Sequence, residues 1–416
     1  MVNIAVLGYG VVGSGVVEVT KKNRVSIGKR AGEEIVVKKV LDIRDFPESP
    51  DKDILTKNAD EVFEDDSISI IVETIGGTGA AYDFTKRAFI NGKHVVTSNK
   101  ELVAAYGPEL LKLAKDNGVN YLFEASVGGG IPIIRPLNQC LAANEINGIM
   151  GILNGTTNFI LTKMKSDGKS FKEALKIAQE NGYAEADPTA DIEGHDTCRK
   201  IAILSSIAYG EFVDYRKIYT EGITRISLED IEYAEKMNSV IKLIAISQKA
   251  GDSIFARVSP VIISKTHALS NVENEFNAIE VKGDAIGNAV FYGKGAGKLP
   301  TASAVVADVI DIVKHIDSNG RNVWERTEYN NIMDIDESET SYFVRVMARN
   351  VQEAKKFIEK TFSKVSFISL EKPELKDEVA FVTSKSREKI LKDGVNQLKG
   401  IGSIKKVINI IRIEEY

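Results

Sequence analysis

The segment that most constrains this chain is GYGVVG at residues 8–13, which follows the apolar run VNIAVL and precedes a helical pattern. In a strand–turn–helix, the first glycine of a GxGxxG motif permits the tight turn and the second lets a pyrophosphate approach the backbone. The third lets the helix pack close to the strand. The pyrophosphate then lies at the N-terminus of the helix. The motif predicts a dinucleotide site, and a purely structural glycine turn is the alternative. The predicted contacts are Gly8, Gly10, Val11, Val12 and Gly13.

The end of the second predicted strand, in VLDIRD, carries the residues that would contact the adenosine ribose. A carboxylate at this point accepts a hydrogen bond from the 2′-hydroxyl and repels a 2′-phosphate, and Asp42 is the candidate. It lies farther from the glycines than the usual distance of about 20 residues, because KNRVSIGKRAGEE intervenes. Arg44 follows and can accommodate a phosphate. The sequence therefore favours NAD and leaves NADP open.

Short apolar runs alternate with amphipathic segments in the first third of the chain. The runs predict buried, parallel strands in VNIAVLGYG, EIVVKKVLD, ISIIVETIG, KHVVTSNK and VNYLFEASVG. Two segments between them, AAYDFTKRAFINGK and GPELLKLAKDNG, have helical spacing and contain Asn-Gly, a helix stop. The alternation predicts an α/β domain with a parallel sheet covered by helices on both faces.

The pattern changes after about residue 146. Ser170 and Glu173 have capping-box spacing at the start of one helix, and a second helix continues from GHDTC through RKIAILSSIAYG. The runs IFARVSPVIIS, NAIEVKGDAI and AVFYGKGA predict a second, antiparallel sheet. TASAVVADVIDIVKHI predicts a helix that packs back onto the first domain, and residues 341–416 have the ferredoxin-like order βαββαβ.

Four parts are therefore expected along the chain. A Rossmann-type domain occupies residues 1–135 and is completed by a helix at about 301–317. An α+β domain follows at 136–300, a polar linker at 318–340 and a ferredoxin-like domain at 341–416.

Composition excludes several classes of function. The net charge of −5 gives no electrostatic reason to expect binding to nucleic acid or to an anionic membrane. The 2 cysteines form no CxxC and predict neither a disulfide framework nor a zinc site. No apolar run approaches the roughly 20 residues that span a bilayer, and the chain begins directly with a strand rather than with a signal peptide. A soluble, cytoplasmic protein is expected.

The acidic segment GYAEADPTADIEGHDTCRK at 182–200 has three interpretations: a solvated loop, a divalent-metal cage or a site for a charged small molecule. The metal cage is disfavoured, because Lys200 competes for the carboxylates and no ligand set has a known spacing. Asp196 and Lys200 are four residues apart on a predicted helix and share a face. The five carboxylates are Glu185, Asp187, Asp191, Glu193 and Asp196.

Further segments fit together as one family. They are ETIGG at 73–77, TSNK at 97–100, EASVGGGIP at 124–132, NGTTN at 154–158, the acidic segment, and GKGAGKLPTASAVV. With them, the chain resembles the homoserine dehydrogenases over residues 1 to about 320, and its last part resembles the ACT domain often appended to these enzymes. The resemblance implies reversible, NAD(P)-dependent hydride transfer between L-aspartate 4-semialdehyde and L-homoserine. It makes residues 136–300 a substrate-binding and dimerisation domain.

The resemblance also implies roles for particular residues. Lys200 and Lys100 match the two active-site lysines of the family, and we assign the proton transfer to Lys200. A lysine that exchanges a proton near neutrality must be buried or lie close to another cation. The residues implied in substrate binding are Glu185, Asp196 and Asp191. Asp187, before a proline, is expected in a turn and Glu193 in solvent, and His195 is not expected to act as a base.

The same resemblance supplies the remaining site. The further residues implied at the cofactor are Thr74, Ser98, Lys100, Gly182 and Gly297. A sodium site is implied at Glu124, Val127, Gly129 and Ile131, where one carboxylate and three main-chain carbonyls supply oxygen ligands. A glycine-rich turn without an ion is the alternative. The NGTTN segment is a secondary candidate, with a plain helix N-cap as its alternative.

The ACT-like part departs from its family. The loop after its first strand reads Arg349-Asn350-Val351-Gln352 and lacks the proline and glycine of the usual effector-binding pattern. Feedback by threonine is therefore in doubt, and pairing of subunits through edge strands in a homodimer or higher oligomer is the expected role. The rival functions are another semialdehyde dehydrogenase on the same fold and an inactive amino-acid sensor. The intact lysines and carboxylates argue against the sensor.

Overall fold

The structure is a computed structural model that describes residues 1–318, 324–326 and 331–414. It has two compact units. The first contains residues 1–147, 199–216 and 277–329, and the second contains 148–198, 217–276 and 330–416. The predicted linker at 318–340 includes residues 319–323 and 327–330, which lie outside the described residues.

The N-terminal part of the first unit alternates strands and helices. Its elements are β1 (Val2–Leu7), α1 (Val11–Lys22), α2 (Arg24–Ala31), β2 (Ile35–Leu41), β3 (Leu55–Thr56), α3 (Asp60–Phe63), β4 (Ile68–Glu73), α4 (Gly79–Ile90), β5 (His94–Thr97), α5 (Lys100–Asp116) and β6 (Tyr121–Leu122). The sheet order is β3-β2-β1-β4-β5-β6, with parallel pairing throughout. This is the strand order of dinucleotide-binding folds, and the predicted N-terminal parallel sheet of Rossmann type is confirmed.

Burial on both faces explains why these strands have unbroken apolar sequences. In β1 and β4 every residue but one is buried, and β5 is buried throughout. A parallel sheet covered by helices requires this pattern, because both faces are removed from water.

The middle of the chain adds β7 (Ile146–Ile152), α6 (Gly155–Asp167), α7 (Phe171–Glu180), α8 (Thr189–Ile192), α9 (His195–Tyr209), β8 (Tyr219–Thr220), α10 (Leu228–Lys236), β9 (Ser239–Ala250) and β10 (Ser253–Ser264). It continues with β11 (Phe276–Gly283), β12 (Gly287–Lys294) and α11 (Lys298–Lys314). Helix α7 begins with the predicted capping box, in which Ser170 and Glu173 each bond the other's main chain.

Helix α11 belongs to the first unit. Its residues Ala302, Val305 and Val309 are buried in the same core as Val6 and Val16 of the N-terminal sheet and helix α1. The helix predicted at about 301–317 thus begins three residues earlier than expected, and it covers the face of the sheet that carries α1.

The C-terminal part contains β13 (Glu339–Ala348), α12 (Val351–Thr361), β14 (Val365–Ile368), β15 (Glu378–Thr383), β16 (Ser386–Arg387), α13 (Glu388–Lys399) and β17 (Ile404–Glu414). Apart from the two-residue β16, the order is βαββαβ. This part has a core of its own, which includes Val344, Phe381, Val395 and Ile404.

The sheet of the second unit follows the order β7-β9-β10-β17-β13-β15-β14. The expectation of an antiparallel sheet is corrected here, because the sheet is mixed. Strand β17 runs parallel to β10, with Val261 opposite Arg412, whereas β9 and β10 are antiparallel. The parallel pair joins segments about 150 residues apart in sequence, and no hairpin signal predicts such a pairing.

A buried ion cluster fixes helix α10 to strands β13 and β15. The Arg345 guanidinium donates to Asp230 at 2.7 Å and to Glu378 at 2.8 Å. The side chains of these three residues are at most 3% exposed.

No helix in the described part of the chain is long and apolar enough to cross a membrane.

Replacement of Arg345 by methionine should destabilise the protein strongly. The two carboxylates would stay buried without their cation, and loss of one partner of a buried pair costs about 3–5 kcal/mol. Urea denaturation measures the change. Arg216→Met is the control, because Arg216 pairs with Asp214 while its side chain is 72% exposed. Equal denaturation midpoints for both variants would contradict the prediction.

Candidate active site

The glycine turn has the geometry that its sequence predicts. Gly8 has a φ of +92°, and a Cβ on Gly13 would lie 1.9 Å from the Gly8 carbonyl oxygen. Among the described atoms, a Cβ on Gly10 would meet only the Arg44 Nη2 within 4 Å, at 3.9 Å. The first glycine is therefore required by its backbone angle and the third by close packing. The second leaves open surface at the N-terminus of α1, where a diphosphate can approach.

Asp42 and Arg44 lie together beside this turn. The Asp42 carboxylate accepts the Tyr9 N–H at 2.7 Å and two guanidinium N–H groups of Arg44, at 3.0 and 2.8 Å. These hydrogen bonds, those from Arg44 above all, hold the pKa of Asp42 well below its usual range. A permanently charged acceptor and an exposed guanidinium thus stand side by side at the end of β2.

Thr74 and Glu73 connect β4 to its neighbours. The Thr74 hydroxyl donates to the main-chain oxygens of Leu7 and Gly8, at 2.9 and 3.1 Å, and so fixes the start of the glycine turn. The fully buried Glu73 carboxylate accepts from the Thr97 hydroxyl at 2.5 Å and from the Ile75 N–H at 2.7 Å. Burial raises its pKa. The Ser98 N–H donates to the Glu73 carbonyl at 3.4 Å.

Lys100 is the first residue of α5, and a cap sets its position. The Asn99 side chain accepts the Leu102 N–H at 3.0 Å, while its amide donates to the Gly77 carbonyl at 2.6 Å. The cap fixes where the helix begins and therefore where the lysine leaves the backbone.

In the second unit, the carboxylate residues of the acidic segment differ in how far they are buried. Glu185 is exposed, and Asp187 accepts the Thr189 N–H at 3.1 Å in the predicted turn. Glu193 is half-buried against Gly222 rather than fully solvated as expected. Gly182 has a φ of +73° and open space at its Cα. Asp191 is half-buried, and a hydrogen bond from Asn154 reaches it at 2.7 Å.

Helix α9 carries both Asp196 and Lys200. The two residues are one turn apart on the helix, as predicted, and they are only 4% and 9% exposed. The Asp196 carboxylate accepts from the Asn154 amide at 2.9 Å. His195, the first residue of the helix, is exposed.

The segment at 124–131 forms a tight turn. The buried Glu124 carboxylate accepts three successive main-chain N–H groups, from Ile133, Ile134 and Arg135, at 2.6 to 2.9 Å. Gly128 and Gly129 both have positive φ, and a Cβ on Gly129 would lie 2.3 Å from the Gly295 carbonyl oxygen. Within the described ranges, no three His, Cys, Asp or Glu side chains are grouped as a metal site.

Sequence reasoning missed Asp308, which lies behind this turn. Asp308 accepts the Glu124 N–H at 2.8 Å and pairs with the Arg135 guanidinium. Asp308 and Arg135 line a cavity of about 430 Å³ together with Asp311 and His315. Burial, and then the Glu124 charge, raise the pKa of the Asp308 carboxyl to about 7. One signal was available: an aspartate on the apolar face of TASAVVADVIDIV.

The parallel sheet and its glycine turn define the chain as a dinucleotide-binding α/β protein. A profile of the family "Homoserine dehydrogenase, NAD binding domain" matches residues 8–124, and one of "Homoserine dehydrogenase" matches residues 132–310. A homoserine dehydrogenase of Neisseria gonorrhoeae is 38% identical over 99% of this chain and 98% of its own.

Solved structures agree with the profiles. A homoserine dehydrogenase from Thiobacillus denitrificans has a TM-score of 0.90 and 36% identity, covering 100% of this chain and 98% of that one. A hyperthermophilic archaeal homoserine dehydrogenase, solved in complex with NADPH, has a TM-score of 0.62 and 30% identity, covering 74% of this chain and 97% of that one. The chain belongs to the homoserine dehydrogenase family and is an NAD(P)-dependent oxidoreductase.

Replacement of Asp308 by asparagine should change how stability depends on pH. The folded protein holds the Asp308 proton more tightly than the unfolded chain, so this group makes the wild type less stable as pH rises from about 4 to about 7. The asparagine variant does not titrate at this position and keeps its free energy of unfolding over this range. In the wild type the loss of free energy of unfolding is on the order of 4 kcal/mol at most, because one pKa unit corresponds to about 1.4 kcal/mol. Urea denaturation at several pH values measures it.

The exposed Asp60, which pairs with Arg87, supplies the matched control. Asp60→Asn should follow the wild-type curve between pH 4 and 7. If the difference between Asp308→Asn and wild type stayed constant over that range, the titration assigned to Asp308 would be wrong.

Proposed function

We propose that the protein interconverts L-homoserine and L-aspartate 4-semialdehyde, with Lys200 as the group that exchanges the proton. The observation that carries this assignment is helix α9, which places a buried lysine one turn after a buried aspartate. A substrate with an ammonium group near a reacting hydroxyl needs an anion and a proton acceptor on one surface. Asp196 and Lys200 supply this pair.

The substrate's charge accounts for the carboxylates. Homoserine carries an ammonium group, and Asp191 and Asp196 are held close to one another by hydrogen bonds from a single side chain. We assign the ammonium to these two. Glu185 is exposed in a segment that Gln179 fixes through a hydrogen bond to the Glu185 carbonyl at 3.1 Å, and we assign it a further substrate contact.

The proposed proton transfer takes place between Lys200 and the hydroxyl group of the substrate. In the direction of oxidation, the neutral Lys200 amine takes the proton from the hydroxyl oxygen while the hydride leaves the adjoining carbon. In the reverse direction, the Lys200 ammonium returns a proton to the developing alkoxide. The chemistry that a nicotinamide would supply when bound is to accept or donate this hydride. Lys100, at the N-terminus of α5, is assigned to the substrate oxygen and the nicotinamide.

The residues present fit a dinucleotide. Gly10 leaves the α1 N-terminus open to a diphosphate, and Asp42 presents an acceptor for ribose. We assign further contacts with the cofactor to Thr74, Ser98, Gly182 and Gly297, of which Gly297 caps α11 with a φ of +116°. Because the Asp42 carboxylate is ionised and directed to the turn, we propose NAD as the preferred cofactor, with NADP accepted through Arg44.

We also propose a sodium ion at the 124–131 turn. The donors are oxygen atoms only, which suits a hard monovalent cation. The Glu124 carboxylate already accepts three N–H groups. Most of the coordination therefore falls to the carbonyls of Val127, Gly129 and Ile131.

For residues 341–416 we propose an ACT-like domain that pairs subunits in a homodimer or higher homo-oligomer in the cytoplasm. The βαββαβ order and the strand order β17-β13-β15-β14 support the fold. In the loop where ACT domains bind effectors, Asn350 caps α12 by accepting the Glu353 N–H at 3.2 Å. The side-chain oxygen is thus used by the helix cap, which supports a structural role.

Replacement of Lys200 by methionine should lower kcat for homoserine oxidation by about a thousandfold, within the 10²–10⁴ range of general acid–base catalysis. The hydroxyl would lose its proton acceptor while the helix keeps its packing. Spectrophotometric reduction of NAD and NADP with homoserine measures it. Lys236→Met, at an exposed lysine in the last turn of α10, should retain full activity. Wild-type turnover by Lys200→Met would remove the lysine from the mechanism, and an inactive wild type would refute the function.

The cofactor preference should depend on two neighbouring side chains. Asp42→Ser removes the charge that repels a 2′-phosphate and releases Arg44, so the ratio of kcat/KM for NADP to that for NAD should rise about tenfold or more. Arg44→Met should lower kcat/KM for NADP alone. Arg30→Met, at an exposed arginine near the end of α2, is the control. An unchanged ratio in both variants would place the ribose elsewhere.

A further inference from the structure

Asn154, the first residue of NGTTN, makes an unusual set of contacts for a helix cap. Its side-chain oxygen accepts the Thr157 N–H at 2.9 Å, which caps α6. Its side-chain nitrogen donates to Asp191 at 2.7 Å and to Asp196 at 2.9 Å. An amide nitrogen has two hydrogens, and here each one goes to a different carboxylate.

The cap fixes the direction of the amide. Because the oxygen is held by the helix N-terminus and Asn154 is only 5% exposed, the nitrogen cannot turn away from the two carboxylates. The hydrogen bonds then set the orientation of Asp191, on the short helix α8, and of Asp196, on α9. The Asn154 side chain thereby links helices α6, α8 and α9 through hydrogen bonds.

This arrangement selects one class of ligand. The Asp191 and Asp196 carboxylates both accept from one nitrogen, at 2.7 and 2.9 Å, so two anionic side chains lie close together, and such a pair favours a cationic ligand over a neutral or anionic one. A metal ion would favour an asparagine that presents its oxygen, whereas Asn154 presents its N–H groups. A primary ammonium group, which itself donates hydrogen bonds, fits beside them.

We infer that Asn154 is a positioning residue that orients Asp191 and Asp196 to receive the ammonium group of the substrate. This inference rests on the proposed function and deepens it. Asn154 acts through the two carboxylates on substrate affinity, and the chemical step at Lys200 does not depend on it. Loss of its N–H groups therefore raises KM for homoserine and leaves kcat and KM for the cofactor nearly unchanged.

Two substitutions separate positioning from capping, because Ser, Asp and Asn cap helices about equally well. Asn154→Ser keeps a cap and loses both bridges. Asn154→Asp keeps a cap and puts a third carboxylate beside the other two. KM for homoserine should rise about tenfold or more in Asn154→Ser, given that hydrogen bonds to charged groups are each worth about a tenfold effect or more. It should rise further in Asn154→Asp. Steady-state kinetics and the thermal midpoint are measured for both.

The matched control is Asn350→Ser, since Asn350 caps α12 in the same way, but among the described residues its side chain bridges no pair of carboxylates. Asn350→Ser reports the effect of changing the cap alone, so it should show a small change in thermal midpoint and wild-type kinetics. If Asn154→Asp does not fold, Asn154→Ser carries the test. Folded variants with KM within twofold of wild type, or with kcat reduced as much as kcat/KM, overturn the inference. A wild type that does not oxidise homoserine refutes the proposed function instead.

Discussion

The close packing of α11 against α1 is the contact on which the first unit depends. A Cβ on Gly15 would lie 2.9 Å from the Lys298 carbonyl oxygen and 3.1 Å from the Ala302 Cβ, so the two helices meet with almost no space between their backbones. Helix α11 comes nearly 300 residues after α1, yet it completes the core of the N-terminal sheet. Its return brings Asp308 to Glu124 at 2.8 Å and the Gly295 backbone to Gly129. Helix α11 and the residues just before it therefore also support the turn at which we propose a cation.

In the second unit, buried side-chain amides have the corresponding role. The side-chain nitrogen of Asn158, four residues after Asn154, lies 2.9 to 3.2 Å from three main-chain carbonyls between residues 272 and 276, which share its two N–H groups. Its side-chain oxygen accepts from Lys242 at 3.1 Å. Burial lowers the pKa of Lys242 to about 8. An unpaired amide or carbonyl in such a place would cost about 1–3 kcal/mol. The two asparagines of NGTTN thus hold separate parts of the unit, and this explains the motif better than a helix cap alone.

Local signals could be predicted from the sequence, and pairings over long distances could not. The glycine turn, the strands of the N-terminal sheet and the capping box of Ser170 follow from spacing and residue type within a few positions. Strand β9 was missed, because SVIKLIAIS is an apolar run that a buried helix would share. The parallel pairing of β17 with β10 and the pairing of Arg135 with Asp308 carry no local signal. The cluster around Arg345 was missed for the same reason, since its members lie on three separate elements.

The acidic segment shows the same limit in a single stretch. Its carboxylates are alike in sequence, and only their partners distinguish them. Asp187 bonds its own turn, whereas Asp191 and Asp196 share the amide of a residue some 40 positions earlier. Burial without a hydrogen-bond donor raises the free-energy cost of a charge, and the Asn154 amide supplies one donor to each of these two carboxylates. Because the amide is neutral, its hydrogen bonds orient the two carboxylates without adding a positive charge of their own. The two hydrogen bonds from Asn154 thus support the proposal that Asp191 and Asp196 bind the ammonium group of the substrate.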